Sequence, residues 1–153
     1  MSTLEYARCA LDNARSEYEQ LRRKANEAQK KAVKWKGEEE DLEKKRCEAG
    51  RKYDKAQARV YELIFSERRR ALRPIGWELR YPDIDREEET NFEEKRCARD
   101  EARHELHRLI TKWKMAQDKA NKYMLEAEEA ERKAEKCLHK LFCAHDRMRE
   151  LET

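Results

Sequence analysis

Residues 4–35, LEYARCALDNARSEYEQLRRKANEAQKKAVKW, place Leu4, Ala7, Leu11, Ala14, Tyr18, Leu21, Ala25, Ala28, Ala32 and Trp35 at alternating steps of three and four. That rhythm keeps one apolar seam facing a neighbour only when helices supercoil left-handedly, so the stretch reads as coiled coil. The same phase continues through Leu42, Ala49, Tyr53, Ala56, Val60 and Leu63. A second ladder runs Phe92, Ala102, Leu106, Leu109, Trp113, Ala116, Ala120, Tyr123, Ala127, Ala130, Ala134, Cys137, Leu141, Ala144, Met148 and Leu151.

Composition supports this reading. Of the 153 residues 46% are charged and 38% hydrophobic, with three Gly and two Pro, a balance that fits long helices better than a globular core. So polar a chain could also be disordered, but unbroken heptads argue against that. The five cysteines, Cys9, Cys47, Cys97, Cys137 and Cys143, are odd in number and form no CxxC pair, which predicts free thiols in a reducing compartment. No stretch has the apolar core of a signal peptide or the ~20 apolar residues of a membrane span. The expectation is a cytoplasmic protein without membrane insertion, with cytoskeletal association as one setting.

Pro74, Gly76 and Pro82 divide the ladders. They predict an all-α fold: a long two-helix antiparallel coiled-coil hairpin forming a single unit over 1–153. Its helices should cover about 3–72 and about 85–152, joined by a short structured tip loop over about 73–84. Ser2 and Glu5 form a capping box for the first helix, and Asp83 or Asp85 should cap the second after Pro82 has blocked an earlier start. Each arm would be roughly 100 Å long. Gly37 and Gly50 should weaken the first arm by about 1 kcal/mol each relative to Ala.

With Leu4 and Leu106 as a positions, and Ala7 and Leu109 as d positions, antiparallel pairing predicts facing residues whose numbers add to about 155. The layers then set large against small: Ala14 with Leu141, Tyr18 with Cys137, Ala32 with Tyr123, Trp35 with Ala120, Ala49 with Leu106. Such complementarity suits close packing. The flanking g positions agree in charge, with Glu17 opposite Lys133 and Lys140, Lys24 and Lys31 opposite Glu126, Glu38 opposite Lys112 and Lys119, and Lys45 and Lys52 opposite Glu105. Glu39, Arg46, Lys95 and Arg99 interrupt the seam, where long side chains can snorkel past small neighbours or fix the register.

Net charge is +3, but residues 1–76 hold 20 basic against 14 acidic residues and residues 77–153 hold 17 against 20. Basic and acidic arms satisfying one another make nucleic acid an unfavoured partner. Basic clusters on the first helix keep nucleic-acid binding as an alternative.

Catalytic and metal signatures are weak. His139, Cys143 and Asp146 share one helical face, and Glu101 with His104 forms an ExxH pair, but all lie on outer positions, which suits solvated surface rather than a metal centre. No phosphate loop, GxSxG or HExxH motif occurs. The expectation is therefore no enzyme, no cofactor and no metal.

Two surfaces stand out as candidate partner-binding sites. The tip carries Arg69, Arg70, Arg73, Ile75, Trp77, Leu79 and Tyr81, a mixture of Arg and aromatic residues of the kind enriched at interface hot spots. Along the second arm Ile110, Met124, Leu138 and Phe142 fall near one edge, outside the seam. These point to a non-enzymatic structural or scaffold subunit that docks with other proteins, helical or filament-forming, in a cytoskeletal, ciliary or other multiprotein machine. Homo-oligomers are compatible with the same surfaces. In size and layout the hairpin is similar to the export-ATPase stalk proteins of flagellar and type III secretion systems, which makes a stalk in a secretion or rotary ATPase machine the alternative. No motif carries that likeness.

Overall fold

The structure is a computed structural model and describes residues 2–72 and 82–153, the side chains of residues 70 and 82–89 excepted. Two helices account for nearly all of it: α1, Thr3–Arg70, and α2, Pro82–Glu152. The fold is an all-α helical hairpin, with the helices packed against each other.

The start of α1 follows from its first residues. Ser2 N–H donates to the Glu5 carboxylate at 3.3 Å, and Glu5 N–H donates to Ser2 Oγ at 3.2 Å. This reciprocal box satisfies two amides that have no partner inside the helix. At the other end Ala71 N–H still reaches the Glu67 carbonyl at 3.0 Å, while Leu72 N–H turns to Arg69 at 3.1 Å. The tighter last bond closes the helix at Arg70, two residues before the expected end.

The beginning of α2 corrects the sequence reading more substantially. The helix starts at Pro82 rather than near Asp85. Proline in the first turn sacrifices no intrahelical hydrogen bond, and its fixed φ suits the helix, so Pro82 opens α2 instead of delaying it.

The chain falls into two compact units. Unit 1 comprises Met1–Glu39 with Met115–Thr153, and unit 2 comprises Glu40–Lys114. In unit 1, Lys31 meets Tyr123, Lys119 meets Trp35, and Cys137 meets Ala14. Rising numbers on α1 thus face falling numbers on α2, the antiparallel order. In unit 2, Arg46 lies against Trp113 and Lys52 lies close enough to Glu105 to act on its charge. Both sets agree with the register read from the ladders.

Among the described residues every buried hydrophobic side chain sits on that seam. In unit 1 these are Ala7, Ala25, Ala28, Ala32, Ala116, Ala120, Ala127, Ala134, Cys137 and Met148; in unit 2 they are Ala49, Val60 and Leu109. None is polar or charged among the described residues. Burial in so small an interface depends on close approach of the backbones, which the many alanines permit.

The polar seam residues resolve individually. Arg46 places its guanidinium 4.8 Å from the centre of the Trp113 ring and donates to Glu43 at 3.1 Å through Nε. Its cation thus remains bonded while its stem crosses the seam. Glu39 reaches Lys36 at 3.5 Å and Arg99 reaches Asp100 at 3.2 Å, each on its own helix. Lys95 is half-buried.

The expected cross-helix ion pairs do not form at close range. Among the described residues every ion pair within 4.0 Å joins neighbours on one helix, as in Arg108 with Glu105 and Lys133 with Glu129. Lys31 instead lies 5.5 Å from the Tyr123 ring centre and Lys119 4.2 Å from that of Trp35. A surface carboxylate contributes only a few tenths of a kcal/mol, so a partly desolvated aromatic face competes well with it.

Gly37 and Gly50 sit in unbroken helix, and a methyl group added at either would meet nothing within 4 Å. Gly37→Ala and Gly50→Ala should therefore each stabilise the protein by about 1 kcal/mol. Urea unfolding followed by circular dichroism should show both midpoints raised, and additive in the double variant.

Candidate partner-docking surfaces

The last turns of α1, in unit 2, leave an apolar outer stripe. Tyr61, Phe65 and Leu72 are exposed, Phe65 to 59% and Leu72 to 87%. Tyr61, Phe65 and Arg68 follow steps of four and three, which align their side chains on one face of α1, and Leu72 lies in the turn just beyond Arg70. That face lies outside the a and d positions, so the seam cannot cover it. The Arg68 guanidinium stands 5.9 Å from the Phe65 ring centre, and Arg69 is exposed. Of the other tip candidates, Arg73, Ile75, Trp77, Leu79 and Tyr81 lie outside the described residues, as does the side chain of Arg70.

The candidate edge divides between the units. Ile110 belongs to unit 2 and is half-buried. Met124, Leu138 and Phe142 belong to unit 1, where Leu138 is half-buried while Met124 is 46% and Phe142 59% exposed. Leu125, also exposed, adds to the apolar surface beside Met124. Heptad position alone did not single it out, because an f position says only that a residue points away from the seam.

Shallow grooves run along the g edge within each unit. In unit 1 a groove of about 290 Å³ is floored by Ala28 and Ala130 and flanked by Lys24, Lys31, Glu126 and Lys133. In unit 2 a groove of about 380 Å³ is floored by Ala49, Ala102 and Leu109 and flanked by Lys45, Lys52, Glu105 and Lys112. The hydrogen bond from Arg108 holds the Glu105 carboxyl below its usual range, with smaller contributions from Lys112 and Lys52. Small seam residues create these depressions, since an Ala floor leaves the flanking lysines standing above it. Their signal in the sequence is the run Leu-x2-Lys-x2-Glu-Ala-x2-Lys, which occurs at Leu21–Lys31 and again three heptads later at Leu42–Lys52.

Cys137 is the buried thiol. Its Sγ donates to the Ala14 carbonyl at 3.4 Å across the seam. Burial pushes the thiol above its ordinary value, Glu17 adds to the rise, and Lys140 partly opposes it. The neutral form is thus favoured in the fold, which keeps Cys137 a weak nucleophile. The other four cysteines are exposed. A thiol reagent should label Cys9, Cys47, Cys97 and Cys143 in the native protein and reach Cys137 only on unfolding. Because the folded thiol titrates higher than the unfolded one, its stabilising contribution is complete below about pH 8.5 and declines as pH rises toward the folded value. The stability difference between wild type and Cys137→Ala should therefore shrink from pH 8 toward pH 10, as read by urea titration.

His139, Cys143 and Asp146 are exposed, as are Glu101 and His104. Among the described residues no three His, Cys, Asp or Glu side chains converge as a metal-holding group. Nor is any described helix long and apolar enough to cross a membrane. The arrangement offers surfaces: an aromatic stripe, an apolar edge and charged grooves on a helical hairpin. Compared with known proteins, the chain matches no family model, no curated protein and no solved structure.

Proposed function

We propose that the chain is a non-enzymatic structural subunit, a helical hairpin that docks with partner proteins in a larger cytoplasmic assembly. One observation carries this reading: among the described residues the seam accounts for every buried hydrophobic side chain, yet Tyr61, Phe65, Leu72 and Phe142 remain exposed outside it. Clustered exposed apolar side chains beside Arg are the usual material of protein interfaces. The elevated thiol of Cys137 and the open form of the grooves suit recognition better than chemistry.

The test is co-purification with tagged protein carrying Tyr61→Ser with Phe65→Ser, or Trp77→Ser with Tyr81→Ser. Partner recovery should fall while far-ultraviolet circular dichroism stays that of the wild type. Unchanged recovery with both pairs would remove this end of the hairpin from the interface.

A further inference from the structure

We infer that the unit 2 groove binds an acidic amphipathic helix of a partner protein. This rests on the reading of the chain as a docking hairpin and deepens it by naming the partner's chemistry. The floor, made by Ala49, Ala102 and Leu109, is apolar and shallow, and Lys45, Lys52 and Lys112 stand along its rim. Arg108 is bonded to Glu105 in the same groove, so these charges largely answer each other. Among the described residues none of the three lysines has a carboxylate within 4.0 Å. Glu48 is the other carboxylate of the lining, which leaves a cationic surplus above an apolar floor.

Spacing selects a helix as the occupant. Lys45 and Lys52 are one heptad apart on α1, a separation of roughly 10.5 Å along the axis. A ligand helix meets it with acidic residues seven apart and small apolar residues between them on the same face. A strand, with same-face side chains every ~7 Å, falls out of step.

The unit 1 groove supplies the contrast. It repeats the α1 wall, with Lys24, Glu27, Ala28 and Lys31 in place of Lys45, Glu48, Ala49 and Lys52. Its α2 wall differs, because Glu126 and Glu129 replace Glu105 and Arg108, and Lys133 is paired with Glu129 at 3.3 Å. Three lysines there face three glutamates. The same α1 motif is thus neutralised in one unit and left cationic in the other, and the acidic helix selects the second.

The experiment is fluorescence anisotropy with the full chain and a labelled three-heptad peptide of Ala, Leu and Glu, its glutamates spaced seven apart, at ~50 mM salt. A scrambled peptide of equal composition and a labelled duplex DNA are the comparison probes. The ordered peptide should bind more tightly than either. Lys45→Glu with Lys52→Glu should weaken it by about tenfold or more, and Lys24→Glu with Lys31→Glu by no more than about twofold. If the first pair disturbs helicity, Lys45→Gln with Lys52→Gln should give a smaller loss in the same direction. No binding, equal binding of either comparison probe, no loss with either unit 2 pair, or an equal loss from the unit 1 pair would each overturn the inference. Co-purification dependent on Tyr61, Phe65, Trp77 or Tyr81 would still stand in that event, which separates this failure from failure of the docking reading.

Discussion

Replacing Ala120 with Asp should destabilise the protein by on the order of 3 kcal/mol or more. Ala120 is 1% exposed, at an a position of α2, and its sequence neighbour Lys119 already lies over Trp35. A carboxylate there has an apolar seam on one side and its own helix on the other. It must either remain charged without water or take up a proton at neutral pH, and both cost stability. Lys119 is adjacent but directed to the ring face. Urea unfolding followed by circular dichroism should show a lower midpoint, whereas Asn121→Asp, one residue along on the exposed face, should change little. A stability within about 0.5 kcal/mol of wild type would contradict the assignment of Ala120 to the closed seam.

Trp113→Ala should cost about 2–4 kcal/mol, counting the lost ring contacts and the cation–π contact from Arg46. The ring is only half-buried, which places the value below that of a fully enclosed tryptophan. Arg46→Leu separates the two contributions. It removes the same cation–π contact and the bond to Glu43 but restores an apolar residue at a seam position. Its effect should therefore be small, within about 1 kcal/mol of wild type in either direction. Equal destabilisation by the two variants, measured by urea titration, would mean that Arg46 rather than the ring supplies the stability of this layer.

The difference between these sites shows where sequence reading succeeds. Ala120 and Trp113 are both predicted seam residues, because a and d positions follow from the helical period and do not depend on side-chain conformation. Complementary sizes across the seam carry the register, and the antiparallel order of the contacts agrees with it. The disposition of Arg46, Lys31 and Lys119 was not legible in the same way. Each long cation has several rotamers of nearly equal energy, and the choice between a carboxylate and an aromatic face depends on what the opposite helix brings within reach. The start of α2 failed for a different reason. Proline reads as a barrier from the sequence, although in the first turn it is an acceptable opening residue.

The candidate surfaces divide similarly. That Phe142 and Met124 stand off the seam could be read from their spacing, but the half-burial of Ile110 and Leu138 required the packed neighbours. The recurring Leu-x2-Lys-x2-Glu-Ala-x2-Lys run is visible in the sequence, yet the charge of each groove is set by the wall opposite. That wall comes from residues about 60 to 100 positions away. What the sequence by itself determined is the helical hairpin, its seam and its antiparallel register, since these follow from the regular period of apolar side chains. Only the tertiary structure decided which cations stack on rings, which grooves are neutralised and which apolar groups remain uncovered. Those outcomes depend on distances between side chains remote in the chain, and such distances exist only once the helices have packed.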